Sequence, residues 1–98
     1  MARFTKDARS LLEYIGGKEN IKAVTHCVTR LRFVLIDESK ANIDKIEALK
    51  STKGTFIQSG QYQVIIGNSV QEFYNEFTNI ARIKGVSKDT VKNAAKSK

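Results

Sequence analysis

The stretch IKAVTHCVTRLRFVLI, residues 21–36, decides the fold. Residues 21–27 and 30–36 are both rich in β-forming residue types, which predicts two short strands. Along the second strand the basic side chains fall on one face and the apolar side chains on the other, because side chains alternate across a strand. The short segment 27–29 lies between the strands, so we expect a hairpin with Cys27 at or near its tip.

Helical patterns flank this hairpin on both sides. Apolar residues recur at spacings of three and four over residues 5–15, which predicts an amphipathic helix. Thr5 is a candidate N-cap, and Gly16-Gly17 would end the helix by supplying a left-handed residue. Residues 43–50 show a similar, shorter pattern, with Asn42 as the candidate cap.

The second half of the chain repeats the strand–strand–helix order. The segments GTFIQS and QYQVIIG, joined at Gly60, predict a second pair of strands. Residues 69–83 carry the clearest amphipathic helix, with Asn68 or Ser69 as its cap. The order α-β-β-α-β-β-α predicts an α+β fold with a four-stranded antiparallel or mixed sheet. One face of that sheet could stay open to water or to a partner.

The bulk composition indicates one small globular domain. The chain has 98 residues, is 41% hydrophobic and contains no proline. No stretch approaches the roughly 20 apolar residues of a membrane span, and the N-terminus lacks a signal-peptide pattern. The single cysteine cannot form an internal disulfide, and a free thiol suits the reducing cytosol.

The net charge of +7 is concentrated at the C-terminus. Residues 84–98 hold five lysines against Asp89, a local excess of +4. Lys88, Lys92 and Lys96 would share one face if this segment were helical. We expect a solvated, frayed tail or linker, so that residues 1–83 form the folded domain. A basic nucleic-acid-binding segment is the alternative, and it predicts binding that weakens steeply with salt.

Cys27 has charged and polar residues as its neighbours in the sequence. A lone cysteine is most often a small buried hydrophobe, and that reading stays open. Arg30 and Arg32, however, would favour its thiolate and could bind an arriving phosphate through their planar guanidinium groups. Backbone N–H groups of the turn, from Val28, Thr29 and Arg30, could complete an anion site.

Other chemistries fit this stretch less well. A structural zinc site needs about four ligands, and the chain offers one cysteine and one histidine. His26 and Cys27 would point to opposite faces of a strand, which disfavours a cysteine–histidine dyad. His26 is therefore expected to shape the loop. The chain also has no glycine-rich phosphate loop.

The segments GGKENI, THCVTRLRF and KGTFIQSGQYQVIIGN together resemble the IIB domain of the bacterial sugar phosphotransferase system, in its glucose superfamily. The similarity covers roughly residues 5–83 and is strongest to the trehalose, sucrose, N-acetylmuramate and β-glucoside members. It implies a four-stranded antiparallel sheet with three helices packed on one face. It also implies a transferase component that works without a metal or other cofactor.

The resemblance further implies a relay. Cys27 would accept a phosphoryl group from a phosphohistidine on a IIA domain and pass it to a sugar held by a membrane IIC domain. Arg30 and Arg32 would support the onward transfer. The domain would then work at the cytoplasmic face of the cell membrane, with residues 84–98 leading toward IIC and no nucleic-acid partner. The alternative is a regulatory or protein-binding module that kept the fold without the relay.

Overall fold

The computed structural model of the chain describes residues 3–96, which form four strands, four α-helices and two short 3-10 turns. The helices are α1 Thr5–Tyr14, α2 Ile43–Glu47, α3 Val70–Ala81 and α4 Lys88–Lys96, and the 3-10 turns are Lys18–Asn20 and Glu38–Lys40. The strands are β1 Ile21–His26, β2 Arg30–Leu35, β3 Gly54–Gln58 and β4 Gln61–Ile65.

The strands form a single antiparallel sheet in the order β1-β2-β4-β3. The predicted β1–β2 hairpin is confirmed, with His26 opposite Leu31 next to the turn. The second hairpin turns at Ser59 and Gly60, whose φ angles are 53° and 77°. Positive φ at both central residues is the geometry that matches a tight turn to the twist of its strands.

Helices α1, α2 and α3 cover one face of the sheet and close the main core. Apolar side chains that alternate along β2 and β4 meet the apolar stripes of these helices, which confirms the predicted α+β class. The fully buried members with the largest side chains are Tyr62, Phe33, Phe73, Phe77, Leu11, Ile15, Leu31, Leu35 and Ile46.

The helix termini bear out part of the capping predictions. Asn42 caps α2 as expected, because its side chain accepts a hydrogen bond from the Lys45 backbone N–H at 3.1 Å. Thr5 is not a cap, since α1 already includes it and its hydroxyl donates to Glu76 at 3.0 Å. Ser69 occupies the cap position of α3 without a side-chain capping bond.

The prediction of a frayed C-terminal segment is wrong for Lys88–Lys96, which is helix α4. The Ser87 hydroxyl accepts the Thr90 backbone N–H at 3.1 Å and starts the helix. Val91 and Ala95 then pack against Ala23 and Val34 on the second face of the sheet, in a small separate cluster. Lys98, which contributes to the tail charge, lies outside the described residues.

The connection from α3 to α4 carries the chain around the edge of the sheet. It passes β1, where the Val86 backbone N–H donates to the Val24 carbonyl at 2.9 Å. Gly85 is required on this path, because a side chain there would occupy the position of the Tyr74 hydroxyl. Helix α4 therefore covers part of the sheet face that the sequence predicted could be exposed.

Candidate functional site

The loop that holds Cys27 is anchored at both ends. The Cys27 backbone N–H donates to the Arg30 carbonyl at 2.9 Å, which closes the turn between β1 and β2. The Thr29 carbonyl accepts from the backbone N–H groups of Ile66 and Gly67, both at 2.9 Å. The segment after β4 thus holds the hairpin tip in place, and the predicted position of Cys27 at the tip is confirmed.

The Cys27 thiol is partly buried and lies in an electropositive environment. Burial acts to raise its pKa. Hydrogen bonding from the Thr29 backbone N–H, from the Arg32 side chain and from the Arg30 backbone N–H lowers that pKa, and the charge of Arg32 lowers it further. The lowering effects prevail, so the pKa of the thiol lies below its ordinary value and the nucleophilic thiolate is favoured.

Arg32 is the guanidinium that reaches the sulfur atom. It lies mid-strand in β2, opposite Thr25 of β1 and Gln63 of β4. Its Nε atom is buried and has no hydrogen-bond partner within residues 3–96. A buried donor without a partner is costly, so this side chain has binding capacity left for an anion.

The Arg30 side chain is bonded to Gln63, a residue that the sequence did not single out. Its Nη1 donates to the Gln63 Oε1 at 2.9 Å, and its Cζ lies 5.7 Å from the centre of the Phe56 ring. Gln63 is only 4% exposed, so its buried side chain holds the Arg30 guanidinium in place through this bond. Because side chains alternate along a strand, the sequence QYQ predicts that Gln61 and Gln63 share one face of the sheet. Only the register between β2 and β4 shows that Gln63 meets Arg30.

The other two predicted phosphate-binding residues have different surroundings. Thr29 directs its backbone N–H toward the sulfur, as described above. Val28 forms the apex of the loop with an 81% exposed side chain. Its role as a phosphate ligand stays a prediction.

His26 faces the helical side of the sheet. Its ring packs 4.5 Å from the Tyr74 ring of α3, centre to centre, and its Nδ1 lies 3.1 Å from the Cys27 carbonyl oxygen. The sulfur instead interacts with Arg32, on the opposite face. His26 therefore packs as a loop-shaping residue and is poorly placed to take a proton from the thiol.

The site has the parts needed to hold a phosphoryl group on sulfur. A thiolate supplies the nucleophile, and two backbone N–H groups and a guanidinium supply positive potential around it. Within residues 3–96, no three histidine, cysteine or acidic side chains gather as a metal site would need. No helix in that range is long and apolar enough to cross a membrane.

Comparisons with known proteins bear on this arrangement. The family model for the phosphotransferase system, EIIB, matches residues 9–42. The trehalose-specific EIIBC component of Bacillus subtilis (strain 168) is 46% identical over 96 residues, which is 97% of this chain and 20% of that protein. The sucrose-specific EIIBC component of the same organism is 42% identical over 97% of this chain and 21% of its own length.

A solved structure extends the similarity to the fold. It is the crystal structure of one domain of the PTS system, IIabc component from Clostridium difficile, with a TM-score of 0.78 and 40% identity. The match covers 87% of this chain and 88% of that one. By contrast, this chain spans only about a fifth of the length of the curated relatives that it matches.

Proposed function

The chain belongs to the EIIB family of the phosphotransferase system, and from this premise we propose that it carries a phosphoryl group on the Cys27 sulfur atom. The observation that supports this role most directly is the lowered pKa of the Cys27 thiol between the Thr29 and Arg30 backbone N–H groups and the Arg32 guanidinium. A phosphoryl group bound to that sulfur would accept hydrogen bonds from the same three donors.

The proposed relay has two displacement steps. In the first, the Cys27 thiolate attacks phosphorus on a phosphohistidine; the sulfur–phosphorus bond forms and the nitrogen–phosphorus bond breaks. In the second, a sugar hydroxyl attacks phosphorus, the sulfur–phosphorus bond breaks and the thiolate is regenerated. The proton of the hydroxyl passes to a base beside the sugar. Arg32 stabilises charge at phosphorus in both steps, and Arg30, held by Gln63, is available to the incoming acceptor.

The partners follow from the relatives, which are fused EIIBC and EIIBCA components. We propose a IIA phosphohistidine as donor and a IIC membrane domain that presents the sugar, with trehalose or a related sugar as acceptor. The domain would then act at the cytoplasmic face of the membrane. The exposed Val28 at the loop apex suits contact with two proteins in turn, since a buried nucleophile could not reach both.

Intact-protein mass spectrometry tests the first step. The chain is incubated at neutral pH with phosphoenolpyruvate, Enzyme I, HPr and a glucose-type IIA protein. We expect a mass gain of one phosphoryl group in the wild type and none in Cys27→Ser. A circular dichroism spectrum of the variant checks that it folds.

The converse result would overturn the proposal. If several active IIA donors left the wild type unmodified, the fold would serve as a regulatory or protein-binding module. If Cys27→Ser gained the group as fast as the wild type, the acceptor would be another side chain.

A further inference from the structure

A groove on the second face of the sheet begins beside the Cys27 site. Helix α4 forms one wall, and the turn between β3 and β4 forms the other. The groove encloses about 460 Å³, which is within the range of small-molecule sites. Its lining consists of Arg32, Gln58, Ser59, Gln61, Gln63, Lys92 and Lys96.

The chemistry of the lining selects a particular class of ligand. Three of the lining residues are cations and none carries a carboxylate, so an anionic group is favoured. The other four are amides and a hydroxyl, which suit a ligand with many hydroxyl groups. The lining contains no apolar or aromatic side chain, so neither an acyl chain nor a stacked base would find a partner.

The groove is built by close packing. Gly60 at the β3–β4 turn approaches the backbone and Cβ of Ala95 so closely that an added Cβ would lie 3.2 Å from both. This contact fixes the width between the two walls, and Lys92 and Lys96 follow each other by one helical turn on the wall formed by α4.

Two lining residues carry buried polar atoms without a hydrogen-bond partner within residues 3–96. They are the Nε donor of Arg32 and the Oε1 acceptor of Gln61. Buried polar groups are nearly always paired in folded proteins, so the side chains of Arg32 and Gln61 retain hydrogen-bonding capacity beside the groove. A sugar hydroxyl accepts and donates, and a phosphate accepts from cations.

We propose that this groove is a binding site for a sugar phosphate, with the phosphate between Arg32 and the two lysines of α4 and the sugar hydroxyls on the glutamine amides. Neither Lys92 nor Lys96 belongs to the Cys27 loop, so the site is distinct from the phosphoryl-accepting atom. The two sites share Arg32 and Gln63, the residue that holds Arg30. A sugar phosphate bound in the groove therefore competes for the guanidinium that serves the sulfur, and this consequence rests on the proposed function.

Titration of the full ¹⁵N-labelled chain with glucose 6-phosphate, followed by NMR, tests the site. Ionic strength is kept constant because salt screens exposed charges. We expect shifts of the amides near Gln58–Gln63 and Lys92–Lys96. The double variant Lys92→Gln/Lys96→Gln should weaken binding about tenfold, since two of the three cations are lost. The matched control is Lys84→Gln/Lys88→Gln, which removes the same charge outside the groove and should bind as the wild type does.

Three outcomes would overturn the proposal. If inorganic phosphate bound as tightly as glucose 6-phosphate, the groove would not recognise the sugar. If glucose bound as tightly as glucose 6-phosphate, the groove would not recognise the phosphate. Equal weakening in both double variants would mean attraction to net charge alone.

Cys27→Ser separates this proposal from the proposed function. The variant should still bind glucose 6-phosphate with wild-type affinity, whether or not the wild type accepts a phosphoryl group. Loss of binding in this variant would place the ligand at the sulfur and overturn the separate groove.

Discussion

The two arginines of the Cys27 loop have unequal roles although they are two residues apart on one strand face. The Arg32 side chain acts on the sulfur directly, whereas the Arg30 side chain is bonded to Gln63 and only its backbone N–H acts on the sulfur. The loop therefore combines one guanidinium that lowers the pKa of the thiol with a second guanidinium that is bonded to Gln63 on the same strand face.

Arg32→Gln should make the thiol less acidic. The variant loses the hydrogen bond and the charge that lower the pKa of Cys27, while burial still raises it. The pKa therefore rises, and a higher pH is needed to form the thiolate. We expect the pH profile of iodoacetamide alkylation to move to higher pH. The measurement is the alkylation rate between neutral and alkaline pH, followed by mass.

Arg30→Gln is the matched control for this prediction. It removes the same charge from the same strand face, but the Arg30 side chain does not lower the thiol pKa. Its profile should move less than that of Arg32→Gln. Equal movement in the two variants would show that overall charge, and not contact with Arg32, sets the acidity of the thiol.

At the scale of the element, α4 depends on few contacts. Its cluster contains only small aliphatic side chains, Val91 and Ala95 with Ala23 and Val34, and it is separate from the main core. Burial of so little apolar surface contributes modestly, so α4 should open more readily than the strands beneath it.

Val91→Asp should release α4 and leave the rest of the domain folded. Val91 is 1% exposed, and burying an unpaired carboxylate there would cost about 3 kcal/mol, more than so small a cluster supplies. Amide hydrogen exchange should show loss of protection in α4, while Leu31 and Phe33 in β2 keep theirs. Asn93→Asp adds a carboxylate at an exposed position of the same helix and serves as the control. Global loss of protection would mean that α4 is integral to the fold.

The sequence predicts the sheet elements well because their side chains alternate clearly. RLRFVLI separates charge from apolar surface residue by residue, and that separation locates β2 and its buried face. Helix α4 lacks such a signal: its apolar positions are one valine and two alanines among lysines, which is also the composition of a solvated tail. The register that brings Gln63 to Arg30 is likewise unreadable, because it depends on how two distant strands pair.

At the scale of the whole molecule, the sheet separates a large core from a small one, and the large core contains the buried phenol of Tyr62. The hydroxyl of Tyr62 is buried beside the Thr55 side chain, whose own hydroxyl donates to Glu47 at 2.7 Å. Burial raises the pKa of Tyr62, hydrogen bonding with the Thr55 side chain lowers it by less, and the Glu47 carboxylate raises it further. A raised pKa in the folded state supports stability below the ordinary tyrosine pKa, and that support is lost as pH rises through the raised value.

Tyr62→Phe should change the stability of the fold only slightly at neutral pH. The variant loses both the hydrogen bond with Thr55 and the cost of burying the hydroxyl, so we expect the free energy of unfolding to stay within about 1 kcal/mol of the wild-type value. It should also reduce the loss of stability at alkaline pH, because one ionisation that opposes folding is gone. Urea unfolding at neutral and alkaline pH measures both effects, with the partly buried Tyr14→Phe as control. A fall of more than about 1 kcal/mol at neutral pH would contradict this near-balance and show that the hydroxyl stabilises the fold.

The packing of Tyr74 has a spectroscopic consequence. The chain has three tyrosines and no tryptophan, so tyrosine dominates its ultraviolet emission. Tyr74 lies close to Gly85 on one side and packs in a tilted arrangement against His26, the residue next to Cys27, on the other. The native chain thus contains its own fluorophore in contact with the neighbour of Cys27, and we expect modification of that sulfur to change the tyrosine emission without an attached dye.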